Sequence, residues 1–113
     1  MTRDELLRLR DTAGAQAASL DGELQALFEA SRASNADDEH DPEGTTIAFE
    51  RAQLTAVRDA ARRHLRDLEL AVHHFDEGTY GICEICGNPI APDRLTARPS
   101  ARTCITCASL PRR

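Results

Sequence analysis

Residues 78–107 read GTYGICEICGNPIAPDRLTARPSARTCITC and hold all the cysteines of a chain of 113 residues. The cysteines form two Cys-x-x-Cys pairs separated by 17 residues, namely Cys83, Cys86, Cys104 and Cys107. Each pair presents two thiolates to one ion, and a loop of this length lets the second pair complete a tetrahedron. The spacing is typical of a closed structural zinc site, so we predict that these four thiolates bind one Zn²⁺.

Disulfides or redox pairs are the alternative explanation of the cysteines, and the rest of the chain argues against them. The N-terminal MTRDELLRLR is charged and has no apolar segment, and no apolar run is long enough to cross a membrane. We therefore expect a cytoplasmic protein, in which thiols stay reduced. Four protein ligands leave the metal no open position, and no nucleophile–base pair or phosphate-binding Gly loop is present, so we predict no enzymatic activity.

Composition and charge restrict the function further. Leu, Ile, Val and Phe supply only 22 of the 113 residues, while 18 residues are Ala. So little bulky apolar surface excludes a large enzyme core. Residues 1–77 carry a net charge of -8 and residues 78–113 a net charge of +3, and every basic residue is Arg. The acidic segment disfavours a partner made of nucleic acid, whose phosphates attract basic surfaces.

Residues 1–77 show the periodicity of two long helices. One apolar stripe runs from Thr2 to about Ser34, at Leu6, Leu9, Ala13, Ala17, Leu20, Leu24, Leu27 and Ser31. A second runs to Glu77, at Ile47, Leu54, Val57, Ala61, Leu65, Leu68, Val72 and Phe75. We predict a mainly α fold, in which a long antiparallel helical hairpin (a coiled coil, residues 1–77) is followed by a small four-cysteine zinc finger (residues 78–113).

The connection between the helices, residues 35–44, is strongly acidic, with five acids among its ten residues. Asp41-Pro42-Glu43 has the form of an N-cap followed by Pro at the first helical position, which places the start of the second helix at Pro42. These carboxylates have two explanations. They form a solvated, capped turn, or they are a cluster at the far end of the hairpin that contacts a metal ion or a basic surface.

Three arginines recur every four residues between the cysteine pairs, at Arg94, Arg98 and Arg102. They form either a solvated basic rim or a contact for phosphate or another anion. Three classes of function therefore stay open from the residues alone. They are a regulator that binds another protein through the acidic connection, a zinc-finger DNA-binding protein, and a zinc-capped coiled-coil adaptor.

The cysteine segment resembles the four-cysteine zinc finger of the DksA/TraR family. The similarity includes residues 78–87, the run Arg94-Leu95-Thr96-Ala97-Arg98-Pro99 and the second cysteine pair. The resemblance implies a bacterial transcription factor that binds RNA polymerase directly. It also implies that the hairpin enters the polymerase secondary channel and places an acidic tip near the catalytic Mg²⁺, modulating initiation. The tip residues carried over as a group are Asp37, Asp38, Asp41 and Glu43.

Two positions differ from the family pattern around the nucleotide ppGpp. Arg98 matches a basic residue of that site, whereas Ala108 and Asp67 stand where the family has Lys. We therefore do not predict a response to ppGpp. We expect a monomer that binds no specific DNA sequence.

Overall fold

A computed structural model describes residues 1–34 and 42–111. Two long helices, α1 (Arg3–Ser34) and α2 (Pro42–Glu77), precede two short ones, α3 (Pro92–Ala97) and α4 (Ile105–Ala108). A single antiparallel bridge, between Ile82 and Pro89, occurs in the described residues. The predicted mainly α fold is confirmed, and α2 begins at Pro42 as its capping sequence indicates. Within the described ranges, no helix is both long and apolar enough to span a membrane.

Residues Thr12–Leu65 form one compact unit, in which α1 and α2 run antiparallel. Position 14 of α1 lies next to Leu65, and Asp21 pairs with Arg58 and Arg62 at 3.3 and 2.8 Å. Farther along α1, the guanidinium of Arg51 lies 5.0 Å from the centre of the Phe28 ring. The residue numbers of the contact partners on α2 thus decrease as those on α1 increase, which is the pairing of an antiparallel coiled coil.

The inner stripes of α1 and α2, meaning their buried and half-buried faces, each replace one residue of the predicted stripe, and the α2 stripe gains a further residue. Leu9 and Val57 are 38% and 52% exposed, and Arg10 and Arg58 take their places on the inner stripes. Arg51 fills the turn that the predicted second stripe left vacant. With these changes the steps alternate strictly between three and four residues, the heptad spacing of a coiled coil. The aliphatic part of an Arg side chain covers apolar surface while its guanidinium reaches an acid or a ring.

A second compact unit combines residues 1–11 with residues 66–113. At its helical end Leu6, fully buried, packs with Ala71 and Val72, and Phe75 and Tyr80 cover this cluster. The predicted boundary between residues 77 and 78 stays a prediction about which segments fold independently.

Asp76 lies at the carboxyl end of α2, where the helix dipole disfavours a carboxylate. The sequence offered no compensation for this position. In the structure Arg3 Nε donates a hydrogen bond of 2.7 Å to Asp76 Oδ1. That hydrogen bond, opposed by slight burial, lowers the pKa of Asp76 below its ordinary value. The first turn of α1 therefore stabilises the last turn of α2.

Gly78 ends α2 with a positive φ of 78°, as the sequence predicts for a helix C-terminus. The N–H groups of Thr79 and Tyr80 both donate to the carbonyl of His74, at 2.9 and 3.1 Å. This turn satisfies the His74 carbonyl in the last turn of the helix and leads the chain directly into the cysteine segment.

Candidate metal centre

The first cysteine pair lies in a tight turn that is closed by backbone hydrogen bonds. Cys83 donates its N–H to the Asn88 carbonyl at 2.9 Å, and Gly87 donates to the Cys83 carbonyl at 3.0 Å. Gly87 has φ of 76°, a conformation that L side chains rarely adopt. The glycine directly after Cys86 thus allows the turn to close around the first two sulfurs.

The second pair begins α4. Cys104 is the N-cap of this helix, and its Sγ accepts a hydrogen bond of 3.5 Å from the N–H of Cys107. The two pairs are joined through the backbone, because Glu84 donates its N–H to the Arg102 carbonyl at 2.9 Å. The segment before Cys104 is therefore fixed against the first turn.

The four sulfurs meet at one point. All four Sγ atoms lie within 4.8 Å of one another, and Cys86 Sγ and Cys104 Sγ are 3.8 Å apart. A tetrahedron with zinc–sulfur bonds of about 2.3 Å has edges of about 3.8 Å. The donor set, the number of ligands and this edge fit one Zn²⁺ held by Cys83, Cys86, Cys104 and Cys107. When bound, a zinc ion with four thiolate ligands is structural and fixes both turns to one centre.

The thiols differ in acidity because their surroundings differ. N–H groups of Cys86 and then Cys104 donate toward the Cys83 sulfur and lower the pKa of this thiol to about 6. The hydrogen bond between the Cys107 thiol and Cys104, followed by burial, raises the pKa of Cys107. The surroundings of Cys83 therefore favour the thiolate, which is the form in which cysteine binds metals.

A small apolar cluster lies beside the sulfurs. Ile90 and Leu95 are buried with Cys83 and Cys107, and Tyr80, Ala101 and Cys104 pack against them. The Tyr80 hydroxyl donates a hydrogen bond of 2.7 Å to the Pro99 carbonyl. Tyr80 contacts this cluster and the helical cluster around Leu6, so it joins the zinc segment to the end of α2.

The segment between the cysteine pairs contains a helix that the sequence analysis did not identify. Residues 88–103 hold three prolines, a composition typical of an irregular loop or a hairpin. Instead, α3 occupies residues 92–97, with Pro92 in its first turn and the buried Leu95 facing the cluster. The overlooked signal is Pro92 followed by Asp93, since Pro and an acid are favourable at a helix start.

The three arginines for which a solvated rim and an anion contact were both open explanations lie in different surroundings. Arg94 is half-buried, and its Nε donates to the Thr103 carbonyl at 2.8 Å. Arg102 Nε lies 3.9 Å from the Glu84 carboxylate, and Arg98 is exposed. Arg94 therefore orders the loop before the second cysteine pair, and the anion contact stays a prediction.

The other predicted positions divide into described and undescribed residues. Asp37, Asp38 and Asp41 lie outside the described residues, and the side chain of Glu43 does too. His74 is half-buried, its Nδ1 lies 3.0 Å from the Thr79 hydroxyl, and its Nε2 lies 3.9 Å from Glu84.

Comparison with known proteins agrees with this geometry. Residues 78–110 match the prokaryotic dksA/traR C4-type zinc finger. Protein YteA of Bacillus subtilis is 41% identical over 66 residues, covering 58% of this chain and 28% of that protein. The RNA polymerase-binding transcription factor DksA of Haemophilus influenzae is 38% identical over 53 residues, covering 47% of this chain and 37% of DksA. The matched segments thus span about a third of the length of these relatives.

The solved structure of transcription factor DksA2 from Pseudomonas aeruginosa extends the similarity to the helices. It superposes with a TM-score of 0.78 at 26% identity, covering 94% of this chain and 76% of DksA2. Four clustered thiolates after two long helices thus define a protein with a structural C4 zinc finger. Its residues 78–110 form a zinc finger of the prokaryotic dksA/traR C4 type, and its fold resembles that of DksA2.

Proposed function

We propose that this chain is a bacterial, non-enzymatic transcription regulator that binds RNA polymerase directly in the cytoplasm. The similarity to DksA2 over 94% of the chain is the observation that carries the proposal. The Haemophilus relative DksA is an RNA polymerase-binding transcription factor, which supports the proposal. The finger alone does not carry it, because zinc fingers occur on proteins of many functions.

The acidic connection is the segment that we propose acts on the polymerase. It inserts into the secondary channel, and its carboxylates (Asp37, Asp38, Asp41 and Glu43) act near the catalytic Mg²⁺. Residues 1–77 carry a net charge of -8, so the field of the hairpin favours approach to a channel that contains cations and basic side chains. The structural zinc would hold residues 78–110 as one rigid segment.

A pull-down with purified core RNA polymerase tests direct binding. The zinc-loaded full chain is expected to co-purify with the core enzyme and to be displaced by another factor that occupies the secondary channel. Retention that such a factor does not reduce would contradict the proposed site. Strong binding to random duplex DNA at about 150 mM salt, with no polymerase binding, would instead favour a DNA-binding function.

An in vitro initiation assay tests the acidic connection. The double variant Asp41→Ala/Glu43→Ala is expected to retain polymerase binding and to lose its effect on initiation. Glu29→Ala/Glu69→Ala is the matched control, because it removes two exposed helix carboxylates elsewhere and causes the same change in net charge. If the tip variant binds polymerase and regulates normally, the acidic connection has no role at the active centre.

A further inference from the structure

A lateral groove runs between α1 and α2 in the unit Thr12–Leu65, which does not contain the cysteine site. It is open and has a volume of about 920 Å³. Its walls are residues 23–30 of α1 and residues 50–57 of α2. Ala, Leu and Val side chains form most of the lining, and Glu23 and Glu50 are its charged residues.

Both walls repeat the same sequence pattern. Residues 23–30 read ELQALFEA, and residues 50–57 read ERAQLTAV. Counted from the first Glu of each wall, a lining residue follows at i+3, Leu at i+4 and an apolar residue at i+7. Positions i, i+3, i+4 and i+7 share one side of a helix. Because the helices are antiparallel, the two walls present similar surfaces in opposite directions, and the groove has an approximate two-fold symmetry.

The apolar floor of the groove is exposed in this chain. Val57 is 52% exposed, although the sequence pattern placed it on the helix interface. Phe49 is 65% exposed and lies four residues before Gln53, on the same side of α2. Small Ala side chains on the α1 wall permit close approach of another backbone. These features are those of a groove that accepts the apolar face of a third helix.

The charges of the groove identify the class of partner. Glu23 and Glu50 stand on opposite walls and at opposite ends, and both are exposed. From the pairing of Phe28 with Arg51, Glu50 lies level with about residue 29, so the two carboxylates are about 9 Å apart along the axis. A partner helix with two basic residues six or seven positions apart therefore places one cation beside each carboxylate.

A second copy of this chain fits the groove poorly. The unit that contains the groove has ten acidic and five basic residues, and both groove carboxylates would face carboxylates of the other copy. Like charges placed opposite each other are unfavourable at an interface. We propose that the lateral groove binds an amphipathic helix of another protein, one that bears a short apolar face flanked by two Lys or Arg residues six or seven positions apart. This proposal does not depend on the polymerase proposal.

Fluorescence anisotropy with the zinc-loaded full chain tests the proposal. The probe is a designed, labelled helical peptide that has an Ala/Leu face and two Lys seven residues apart, and its counterpart has Glu at the Lys positions. The Lys peptide is expected to bind the wild-type chain, and Glu23→Lys/Glu50→Lys is expected to weaken binding at least about tenfold. The Glu peptide is expected to bind that variant better than it binds the wild-type chain.

Control variants separate a specific groove from general attraction to an acidic protein. Asp67→Lys/Glu69→Lys changes the net charge equally at exposed positions outside the groove and is expected to change the affinity less than about twofold. Val57→Gln keeps the charge, removes exposed apolar surface and is expected to weaken binding about fivefold. Amide chemical shifts on addition of the Lys peptide are expected to change chiefly at residues 23–30 and 50–57.

Several results would overturn the proposal. They are no binding of the Lys peptide at about 1 mM, equal losses in the groove and control charge variants, or shift changes centred elsewhere. Sedimentation that shows a dimer of the wild-type chain, abolished by Val57→Gln, would assign the groove to a second copy instead.

Discussion

Removal of zinc is expected to unfold residues 78–110 while the helices of the unit Thr12–Leu65 persist. The buried cluster of the finger has only two aliphatic side chains, Ile90 and Leu95. Burial of such a side chain contributes about 1.5–3 kcal/mol, so together they supply about 3–6 kcal/mol. Zinc contributes about 10–16 kcal/mol to the folding of zinc-finger peptides. The metal is therefore the larger stabilising contribution in this segment.

Trypsin digestion measures this effect at defined positions. Cleavage after Arg94 and Arg102 reports on the finger, whereas Arg98 is followed by Pro99 and resists cleavage. Each 1.4 kcal/mol changes an equilibrium constant tenfold. After a loss of about 10 kcal/mol, unfolding of the finger therefore no longer limits the rate of tryptic cleavage. We expect cleavage at the two finger sites to accelerate at least about a hundredfold in strong chelator. Cleavage after Arg51 and Arg62 in the helices serves as the internal reference.

Two controls make the result interpretable. Chelator that is already saturated with zinc is expected to leave every cleavage rate unchanged. Cys107→Ser is expected to reproduce the fast cleavage without chelator, whereas Ser109→Ala, an exposed neighbour, is not. If a sample shown by metal analysis to be zinc-free keeps the slow cleavage at Arg94 and Arg102, the assignment of the metal as the main stabiliser of this segment is wrong.

Three substitutions test the packing and electrostatics of the unit that contains the finger. Leu68→Ala, at a site only 1% exposed, is expected to cost about 2–5 kcal/mol in urea denaturation of the zinc-loaded chain, and an unchanged midpoint would contradict its core position. Tyr80→Phe removes the donor to the Pro99 carbonyl and is expected to cost about 1 kcal/mol, with zinc content unchanged. The pair between Arg3 and Asp76 stabilises the fold above the ordinary carboxyl pKa of 3.8, and this contribution is lost as pH falls through the lowered pKa of Asp76. Arg3→Ala should raise the pKa of Asp76 in an NMR titration, and equal values in both proteins would refute the pairing.

The sequence predicts the elements of this fold well because each has a local cause. The Cys-x-x-Cys spacing leads to sulfurs within 4.8 Å, Asp41-Pro42 marks the start of α2, and Gly78 marks its end. Each of these signals needs only a few neighbouring residues. The carboxylates of the acidic connection lie outside the described residues, so their role stays a prediction.

The features that escaped prediction depend on contacts between distant residues. Leu9 and Val57 are more apolar than Arg10 and Arg58, so hydropathy assigns the wrong members to the inner stripes. The position of Arg58 depends on Asp21, which lies 37 residues away in the sequence. Likewise, nothing near Asp76 in the sequence indicates its ion pair with Arg3. Periodicity of hydropathy cannot identify an Arg whose acid is on the other helix.

The polar inner residues also explain how two Ala-rich helices keep one alignment. Ala contacts are similar at every heptad, so packing alone distinguishes poorly between alignments shifted by seven residues. A shift in one direction would place Leu65 opposite Asp21 and leave that half-buried carboxylate without its Arg partners. A shift in the other direction would place Gly44 opposite Phe28 and remove the guanidinium from its ring. Each shift therefore removes a specific contact. Polar residues at inner positions of coiled coils are known to select one alignment in this way. The inner arginines interrupt the apolar stripes in the sequence, but their contacts fix the alignment of the two helices. The lateral groove depends on this alignment.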